Sequence, residues 1–371
     1  MKCGYKYRFY PTAEQQQILA QTFGCVRFVY NWALKLKTEA FYEKQQKVSN
    51  SQLSSAVTVL KTEEKTAWLK DVSSVTLQQS LRSLDTAFMN FFQKRAGYPN
   101  FKSRHNRQSA SYPKTGFKLV GESLTLAKMK EPLNIRWSRA LPSEPSKVTI
   151  SKDSSDRYFV SFSVDKDSLI LPTASKQVGV DLGITDTVIT SDGFKSGNPK
   201  ITKQYERQLA RAQHRLAKCE KGSSNRKKAK LAVAKIHAKI ADVRSDFSHK
   251  LTTKLVREND LIAIEDLQVK NMIKNHKLAK AIVDVAWGEL VRQFEYKGKA
   301  YGREIVQIDK FFPSSKRCSE CGYISKSMPL NIRKWVCPEC KTKHDRDINA
   351  AKNILKAGLA ILAGCDQVRQ P

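Results

Sequence analysis

Two pairs of cysteines near the end of the chain have the spacing of metal ligands. Cys318 and Cys321 are separated by two residues, and so are Cys337 and Cys340, with fifteen residues between the pairs. This spacing is typical of a zinc ribbon, in which each pair gives two thiolates to one tetrahedral Zn²⁺. Four thiolates fill the coordination sphere, so the ion is predicted to be structural. His344 could replace one ligand, but the set of four cysteines makes that unnecessary.

Three acidic residues stand at the ends of predicted core elements. Asp181 follows the apolar Val178 and Val180, Glu265 follows an apolar run, and Asp347 begins the last predicted helix. Each alone has an ordinary explanation as a turn former, a strand end or a helix cap. Together, buried carboxylates can converge only around positive charge, because they repel one another. Mg²⁺ or Mn²⁺ supplies that charge, and a pair of such ions about 4 Å apart supports phosphodiester cleavage.

The elements that must position these residues follow from hydrophobic periodicity. Alternating aromatic residues predict a first strand at 3–10, and apolar residues at helical spacing predict a mostly helical unit at 12–95. Further strands are predicted at 117–126, 133–137, 147–151 and 158–164, around 178–192, and at 261–267 and 304–309. Helices are predicted as a basic hairpin at about 202–257 that turns at 222–225, and at 281–301 and 347–363. The chain is therefore predicted to be an α/β protein of several domains, in which the early strands form one small barrel that carries the helical unit as an insert.

The charge of the chain indicates a polyanionic partner. Its 66 Lys and Arg residues exceed its 35 Asp and Glu residues, for a formal net charge of +31. Such an excess is relieved by phosphate backbones, so nucleic acid is the expected partner. No apolar run approaches the roughly 18 residues that span a bilayer, and the N-terminus lacks the features of a secretory signal. We therefore expect no membrane partner and a cytoplasmic location, where paired cysteines bind metal and do not form disulfides.

Several stretches, taken in order, resemble the TnpB family of insertion-sequence transposons, which is related to the type V CRISPR nucleases. They are FGCVRFVYNWAL, LQQSLRSLDTAFMNFF, GVDLGI, RSDFSHKLTTKLV, IEDL, FFPSSKRCSECG and CPECKTKHDRDINAAKNI. The resemblance covers nearly the whole chain. It implies an RNase H-like (RuvC) nuclease core interrupted by the zinc ribbon, and a wedge domain similar to an oligonucleotide-binding barrel that carries a helical recognition insert. The implied boundaries are wedge 1–11 and 101–172, recognition 12–100, nuclease core 173–310 and 346–371, and zinc ribbon 311–345.

The resemblance also assigns roles to residues. It implies that Asp181, Glu265 and Asp347 are the catalytic metal ligands. Asp266 and Asp345 lie close enough to compete for two of these roles, and the family pattern favours Glu265 and Asp347 over them.

Family members bind an RNA from the transposon end, pair its guide segment with target DNA and read a short motif beside the target. Ser55 and Gln78 are expected to face that motif. A transposase encoded by the same element is a further expected partner. Two alternatives stay open: a transposase that acts without guide RNA, and an RNA-guided repressor that binds DNA without cutting it.

Overall fold

The computed structural model describes residues 1–329 and 331–364, so residues 365–371 of the predicted C-terminal segment, with Cys365, lie outside the described residues. The chain divides into two compact units, Met1–Asp167 and Ser168–Pro371. Together they contain a mixture of helices and strands, but the single strand predicted at 117–126 is a hairpin of two strands, and the strand Gln108–Pro113 was not predicted. The elements of the first unit are β1 Lys2–Phe9, α1 Ala13–Lys44, α2 Asn50–Leu60, a 3-10 helix Glu64–Lys70, α3 Ser74–Phe92, β2 Gln108–Pro113, β3 Phe117–Val120, β4 Ser123–Leu126, β5 Ile135–Arg136, β6 Lys147–Lys152 and β7 Tyr158–Asp165.

The first unit is built on a five-stranded antiparallel sheet in the order β2-β6-β7-β1-β5. Helices α1 to α3 come between β1 and β2 in sequence, as an insert between strands. Thr12 caps α1 through a reciprocal pair with Gln15, which fixes where the helix begins after the strand. β2 and β5 are the outer strands of the hydrogen-bonded order, and closure into a barrel stays a prediction.

The second unit is built on a four-stranded sheet in the order β11-β10-β8-β9. β8, β10 and β11 are parallel, and β9 returns antiparallel to β8. Its elements are β8 Gln177–Asp181, β9 Ile189–Thr190, α4 Ile201–Lys218, α5 Ser224–Glu258, β10 Leu261–Glu265, α6 Val269–Met272, α7 His276–Val285, α8 Trp287–Tyr301, β11 Glu304–Ile308, β12 Lys334–Val336, β13 Lys343–Asp345 and α9 Arg346–Leu362.

Alternation along β8 and β10 divides their side chains between two layers of helices. Val178, Val180, Ile262 and Ile264 pack in the cluster that contains residues of α5 and α8. Ala263 packs with residues of α9 on the other face. Because side chains of a strand alternate between faces, the residues at positions 179, 181, 263 and 265 share the α9 face.

Two glycines let α9 lie unusually close to the sheet. A Cβ atom added at Gly179 would lie 2.0 Å from the carbonyl oxygen of Ala351, and one added at Gly358 would lie 2.6 Å from the Cβ of Ala263. Neither contact leaves room for a methyl group. The spacing of α9 from β8 therefore depends on Gly179, and its spacing from β10 depends on Gly358.

We expect Gly179→Ala to lower the free energy of unfolding by about 1–3 kcal/mol or more, as overpacking does in a close-packed interface. Thermal and urea unfolding measure this change. Gly4→Ala is the matched control, because Gly4 also lies in a strand but its added Cβ would meet no atom within 4 Å. Equal stability of the two variants would contradict the close approach of α9.

The prediction of a single helix at 281–301 is wrong. The structure has two helices there, α7 and α8, which meet at Ala286 with a left-handed backbone (φ 57°). Ala286 ends α7 and stands directly before α8, so the chain changes direction without a connecting loop. Hydrophobic spacing continues across the break, and this is why periodicity alone did not reveal it.

Among the described residues, no helix combines the length and the apolar character that crossing a membrane requires.

Candidate active site and metal centre

The parallel pairing of β8 and β10 sets Asp181 beside Glu265. Val180 pairs with Ile264, and the two acids are the next residues on each strand. Neighbouring strands lie about 4.8 Å apart, and residues in register on parallel strands point to the same face. Both acids are half-buried and share the α9 face, on which Asp347 stands in the first turn of the helix.

Electrostatics joins the three carboxylates into one site. Burial raises the pKa of Asp181 to about 7, and the negative charge of Asp347 adds to the rise. Burial also raises the pKa of Glu265 to about 7, with further contributions from Asp181 and then Asp266. Two acids that ionise with difficulty near neutral pH mark a place where positive charge is needed.

Arg333, which sequence reasoning missed, supplies part of that charge. Its Nη1 lies 3.3 and 3.2 Å from the two carboxylate oxygens of Asp347, and its Nη2 lies 3.4 Å from Oγ1 of Thr185. The residue stands in the segment between the two cysteine pairs, just before β12. Nothing local in the sequence marks it, because the contact depends on how that segment folds back towards α9.

The two competing acids have other partners. Oδ1 of Asp345 accepts the backbone N–H groups of Asp347 and Ile348 as the N-cap of α9, and its Oδ2 pairs with Lys195 at 2.8 Å. Burial opposes ionisation of Asp345, but the hydrogen bonds from Lys195 and the helix N-terminus outweigh it and lower its pKa. Asp266 is exposed. The ordinary interpretation as a helix cap therefore fits Asp345, and the carboxylate of Asp347 is not used as the cap.

The carboxylates are near one another without forming a closed cage. Among residues 1–329 and 331–364, the four cysteines are the one group of three or more His, Cys, Asp or Glu side chains whose ligand atoms all lie within 4.8 Å of one another. An open set of carboxylates still suits Mg²⁺, which usually keeps several waters and takes few carboxylate ligands from the protein. The donor chemistry and the excess of negative charge fit a divalent cation with a preference for oxygen.

The four predicted zinc ligands come together. The Sγ atoms of Cys318 and Cys340 are 3.6 Å apart, and so are those of Cys321 and Cys337. Thiolates bound to one Zn²⁺ at about 2.3 Å in a tetrahedron are separated by about 3.8 Å, so the cluster has the size of a zinc site. His344 is buried, with its Nε2 3.1 Å from Sγ of Cys318. It is the neighbour of the cluster that the sequence suggested.

Each cysteine pair closes the same tight turn. The N–H of Cys318 donates to the carbonyl of Tyr323, and the N–H of Cys337 donates to the carbonyl of Thr342. Gly322 and Lys341, each just after the second cysteine of its pair, have left-handed backbones with φ of 84° and 60°. The local sequence thus folds each pair into a loop that directs two thiols to one point.

Two buried asparagines connect the cysteine cluster to α9. Asn349 accepts the N–H of Ser319 at 2.9 Å and donates to the carbonyl of Arg317 at 2.7 Å. Asn353 donates to the carbonyls of Ser314 and Arg317 at 2.9 and 2.6 Å. Both side chains lie on a face of α9 that turns away from the sheet, and they hold the backbone of the first cysteine turn. We call this set the asparagine latch.

Ser55 and Gln78, the predicted motif-reading residues, lie on α2 and α3. Both side chains are exposed, and the two helices pack together. Exposure is necessary for contact with DNA, but their role stays a prediction.

Three family models match separate parts of the chain. Residues 160–276 match the IS605 OrfB family described as "Probable transposase", residues 287–354 match the family "Cas12f1-like, TNB domain", and residues 1–47 match a "Helix-turn-helix domain" family. The Cas12f1 protein solved as a complex with sgRNA and target DNA has a similar fold, with a TM-score of 0.58 and 14% identity over 95% of this chain and 98% of that one.

Two relatives match along almost their whole length. A protein of Streptomyces pristinaespiralis, provisionally named an RNA-guided DNA endonuclease, is 52% identical over 100% of this chain and 92% of its own. InsQ of Escherichia coli (strain K12), which carries the same provisional name, is 32% identical over 99% of this chain and 94% of its own. TnpB-like proteins of Acanthamoeba polyphaga mimivirus are 27% identical over 57% of the chain. Identity at this level from end to end means that the chain belongs to the TnpB family.

Proposed function

We propose that the protein is an RNA-guided DNA endonuclease that cleaves DNA by metal-dependent phosphodiester hydrolysis. The observation that carries the proposal is the convergence of Asp181, Glu265 and Asp347 at one sheet end, where burial and mutual repulsion raise the pKa of two of them. The provisional names of the full-length relatives support the same activity. In this proposal the second unit is an RNase H-like core of the RuvC type.

Asp181, Glu265 and Asp347 would hold Mg²⁺ or Mn²⁺, which supplies an activated water and charge stabilisation at the scissile phosphate when bound. The residues around them have separate tasks. The parallel strands hold two carboxylates in register, and the α9 N-terminus presents the third. Lys195 keeps Asp345 occupied, so that the carboxylate of Asp347 is the one directed at the site. Arg333 adds a positive charge next to the place where a phosphate would lie.

Cys318, Cys321, Cys337 and Cys340 would hold a structural Zn²⁺. Four thiolates leave no open coordination position, so the chemistry belongs to the carboxylates. The asparagine latch gives this metal centre a mechanical role, because it ties the first cysteine turn to the helix that carries Asp347.

The proposal assigns the partners from charge and chemistry. A net charge of +31 suits a guide RNA from the transposon end together with double-stranded target DNA. We assign residues 1–11 and 101–172 to a barrel-like wedge domain, 12–100 to a recognition domain, 173–310 and 346–371 to the nuclease core, and 311–345 to the zinc ribbon. Ser55 and Gln78 are proposed to read the target-adjacent motif, since an amide can pair with base edges. A transposase of the same element and a cytosolic location complete the proposal.

The test is cleavage of matching DNA by the protein purified with its RNA. We expect double-strand cuts that require RNA, Mg²⁺ and a matching target, and that are lost after ribonuclease treatment. Cleavage that persists without RNA would favour a transposase, and RNA-dependent binding without any cut would favour a repressor. A scrambled guide is the control for sequence-independent cleavage.

We expect Arg333→Ala to lower the maximal cleavage rate by about 10²-fold, because a preorganised charge beside the reacting phosphate is lost. The same change should lower the Mg²⁺ concentration for half-maximal activity, since the guanidinium no longer competes for Asp347. Magnesium titrations of single-turnover cleavage measure both effects. Arg292→Ala is the control, because Arg292 is similarly exposed but pairs with Glu289 on α8. Unchanged cleavage by Arg333→Ala would remove the residue from the site.

A further inference from the structure

A groove of about 700 Å³ runs along α1 in the first unit, apart from the candidate active site. Its size lies within the range of small-ligand sites, about 300–1,000 Å³. Aromatic rings and cations line it: Phe28, Trp32, Trp68, Phe101, Arg27 and Lys35. Among the residues that the structure describes, no acidic side chain lines it. Exposed rings beside cations, without acids, are the composition of sites that bind single-stranded nucleic acid.

The rings of the groove are held in place before any ligand arrives. Nδ2 of Asn31 donates to the carbonyl of Lys102 at 2.9 Å, and the N–H of Lys102 donates to Oδ1 of Asn31 at 2.7 Å. This reciprocal pair fixes the loop that carries Phe101 against α1. Phe28 and Trp68 meet edge to face with centroids 5.0 Å apart. Phe101 is nevertheless 61% exposed, so its apolar ring is in contact with water at the rim of the groove.

Two acids, Asp71 and Glu39, contact residues that line the groove, and the cations in and beside the groove outnumber them. Oδ2 of Asp71 accepts the side-chain amide of Gln21 at 2.8 Å. Glu39 lies 3.6 Å from Lys35 in a pair whose members are both well exposed, and such pairs contribute little. The loop beyond Phe101 adds exposed Arg104 and Arg107.

A glycine in the middle of α1 keeps part of the groove open. Gly24 lies in its lining, and a Cβ added there would meet no atom within 4 Å. Glycine inside a helix costs about 0.5–1 kcal/mol relative to alanine. Packing in the protein itself does not require this glycine, so the helix backbone is accessible at this point of the groove.

We propose that this groove is a docking site for unpaired nucleotides of the bound RNA, with bases stacked on Phe101 and Trp68 and phosphates held by Arg27 and Lys35. The inference rests on the proposed function for the identity of the polyanion. A folded RNA offers unstacked bases in its loops and ends, whereas duplex DNA keeps its bases stacked. In the proposed function the guide RNA must be bound before target DNA can be recognised, so RNA is the first strand to reach the groove.

The test uses the full-length protein and two fluorescent RNA probes, an unstructured single strand and a fully paired hairpin of equal length. We expect Phe101→Ala and Gly24→Leu each to weaken binding of the single strand by about tenfold, the loss of roughly one stacked base, and to change hairpin binding by less than twofold. Gly24→Leu should not lower the melting temperature, because leucine is a better helix former. If Gly24 served only the packing of the protein, Gly24→Leu would lower the melting temperature.

Phe92→Ala is the matched control, since Phe92 is another exposed ring, at 73%, that does not line this groove. RNA containing 4-thiouridine should crosslink to residues of the groove. Unchanged affinity in both groove variants, with crosslinks elsewhere, would overturn the proposal, as would tighter binding of a DNA strand of the same sequence. RNA-dependent cleavage by the wild-type protein is scored separately, so the groove can be rejected while the endonuclease stands.

Discussion

Asp181→Asn is expected to reduce RNA-guided DNA cleavage by at least about 10³-fold, because one lost metal ligand removes several kcal/mol of transition-state stabilisation. Binding of RNA and of target DNA should stay within twofold of the wild-type values. Single-turnover cleavage and filter binding on the same preparations measure the two effects. Asp266→Asn is the control, since Asp266 neighbours Glu265 but is exposed. If both variants cleave equally well, the carboxylate site is elsewhere.

The same variant should become more stable than the wild type when no metal is present. The folded-state pKa of Asp181 is about 7, against an ordinary value of 3.8, so ionisation of the carboxyl destabilises the folded protein. That cost is absent below pH 4, grows as pH rises from about 4 to about 7, and is constant above. At pH 8 we expect the free energy of unfolding of Asp181→Asn to exceed that of the wild type by about 1–3 kcal/mol. At pH 4 we expect the two free energies to be equal. Urea unfolding in a chelator at the two pH values checks the sign.

Loss of the thiolate cluster is expected to remove cleavage, because the cluster positions α9 and α9 carries Asp347. Cys337→Ser should abolish zinc binding and lower the cleavage rate by at least about 10²-fold, because structural Zn²⁺ contributes about 10–16 kcal/mol to the folding of small domains. Zinc content and cleavage are measured on one preparation. Cys219→Ser is the control, because Cys219 lies on the basic hairpin outside the cluster.

A variant of the asparagine latch can separate zinc binding from the positioning of α9. Asn353→Ala should keep zinc at one equivalent, since no thiol is changed, and still lower cleavage. Its buried carbonyl partners would lose a donor, which costs about 1–3 kcal/mol. Full cleavage by zinc-free Cys337→Ser would show that the zinc ribbon has no part in positioning Asp347.

Much of the second unit could be predicted because its signals are local. The family assignment and the clustering of the four cysteines are confirmed, since a cysteine pair with a left-handed residue after it folds within a few residues. The strand pair, the basic hairpin and the strand before Glu265 also follow from periodicity. The catalytic role of the three acids and the domain boundaries stay predictions.

What the sequence did not reveal depends on contacts between distant segments. Arg333 reaches Asp347 across the fold of the ribbon, and the asparagine latch joins residues 30 or more positions apart. Neither contact is marked in the sequence by hydrophobic periodicity or by a characteristic spacing of residues. The break at Ala286 escaped for a different reason, because one left-handed residue changes direction without interrupting the apolar pattern.

The close approach of α9 to Gly179 has a genetic consequence. Every missense change in that codon adds at least a Cβ atom, and even the smallest would collide with the backbone of the helix that carries Asp347. A lineage could therefore lose cutting, and keep RNA and DNA binding, through a single change that leaves all three acids in place. To recognise a nuclease-dead descendant of this protein, one must check whether position 179 is still glycine as well as whether the three acids are present.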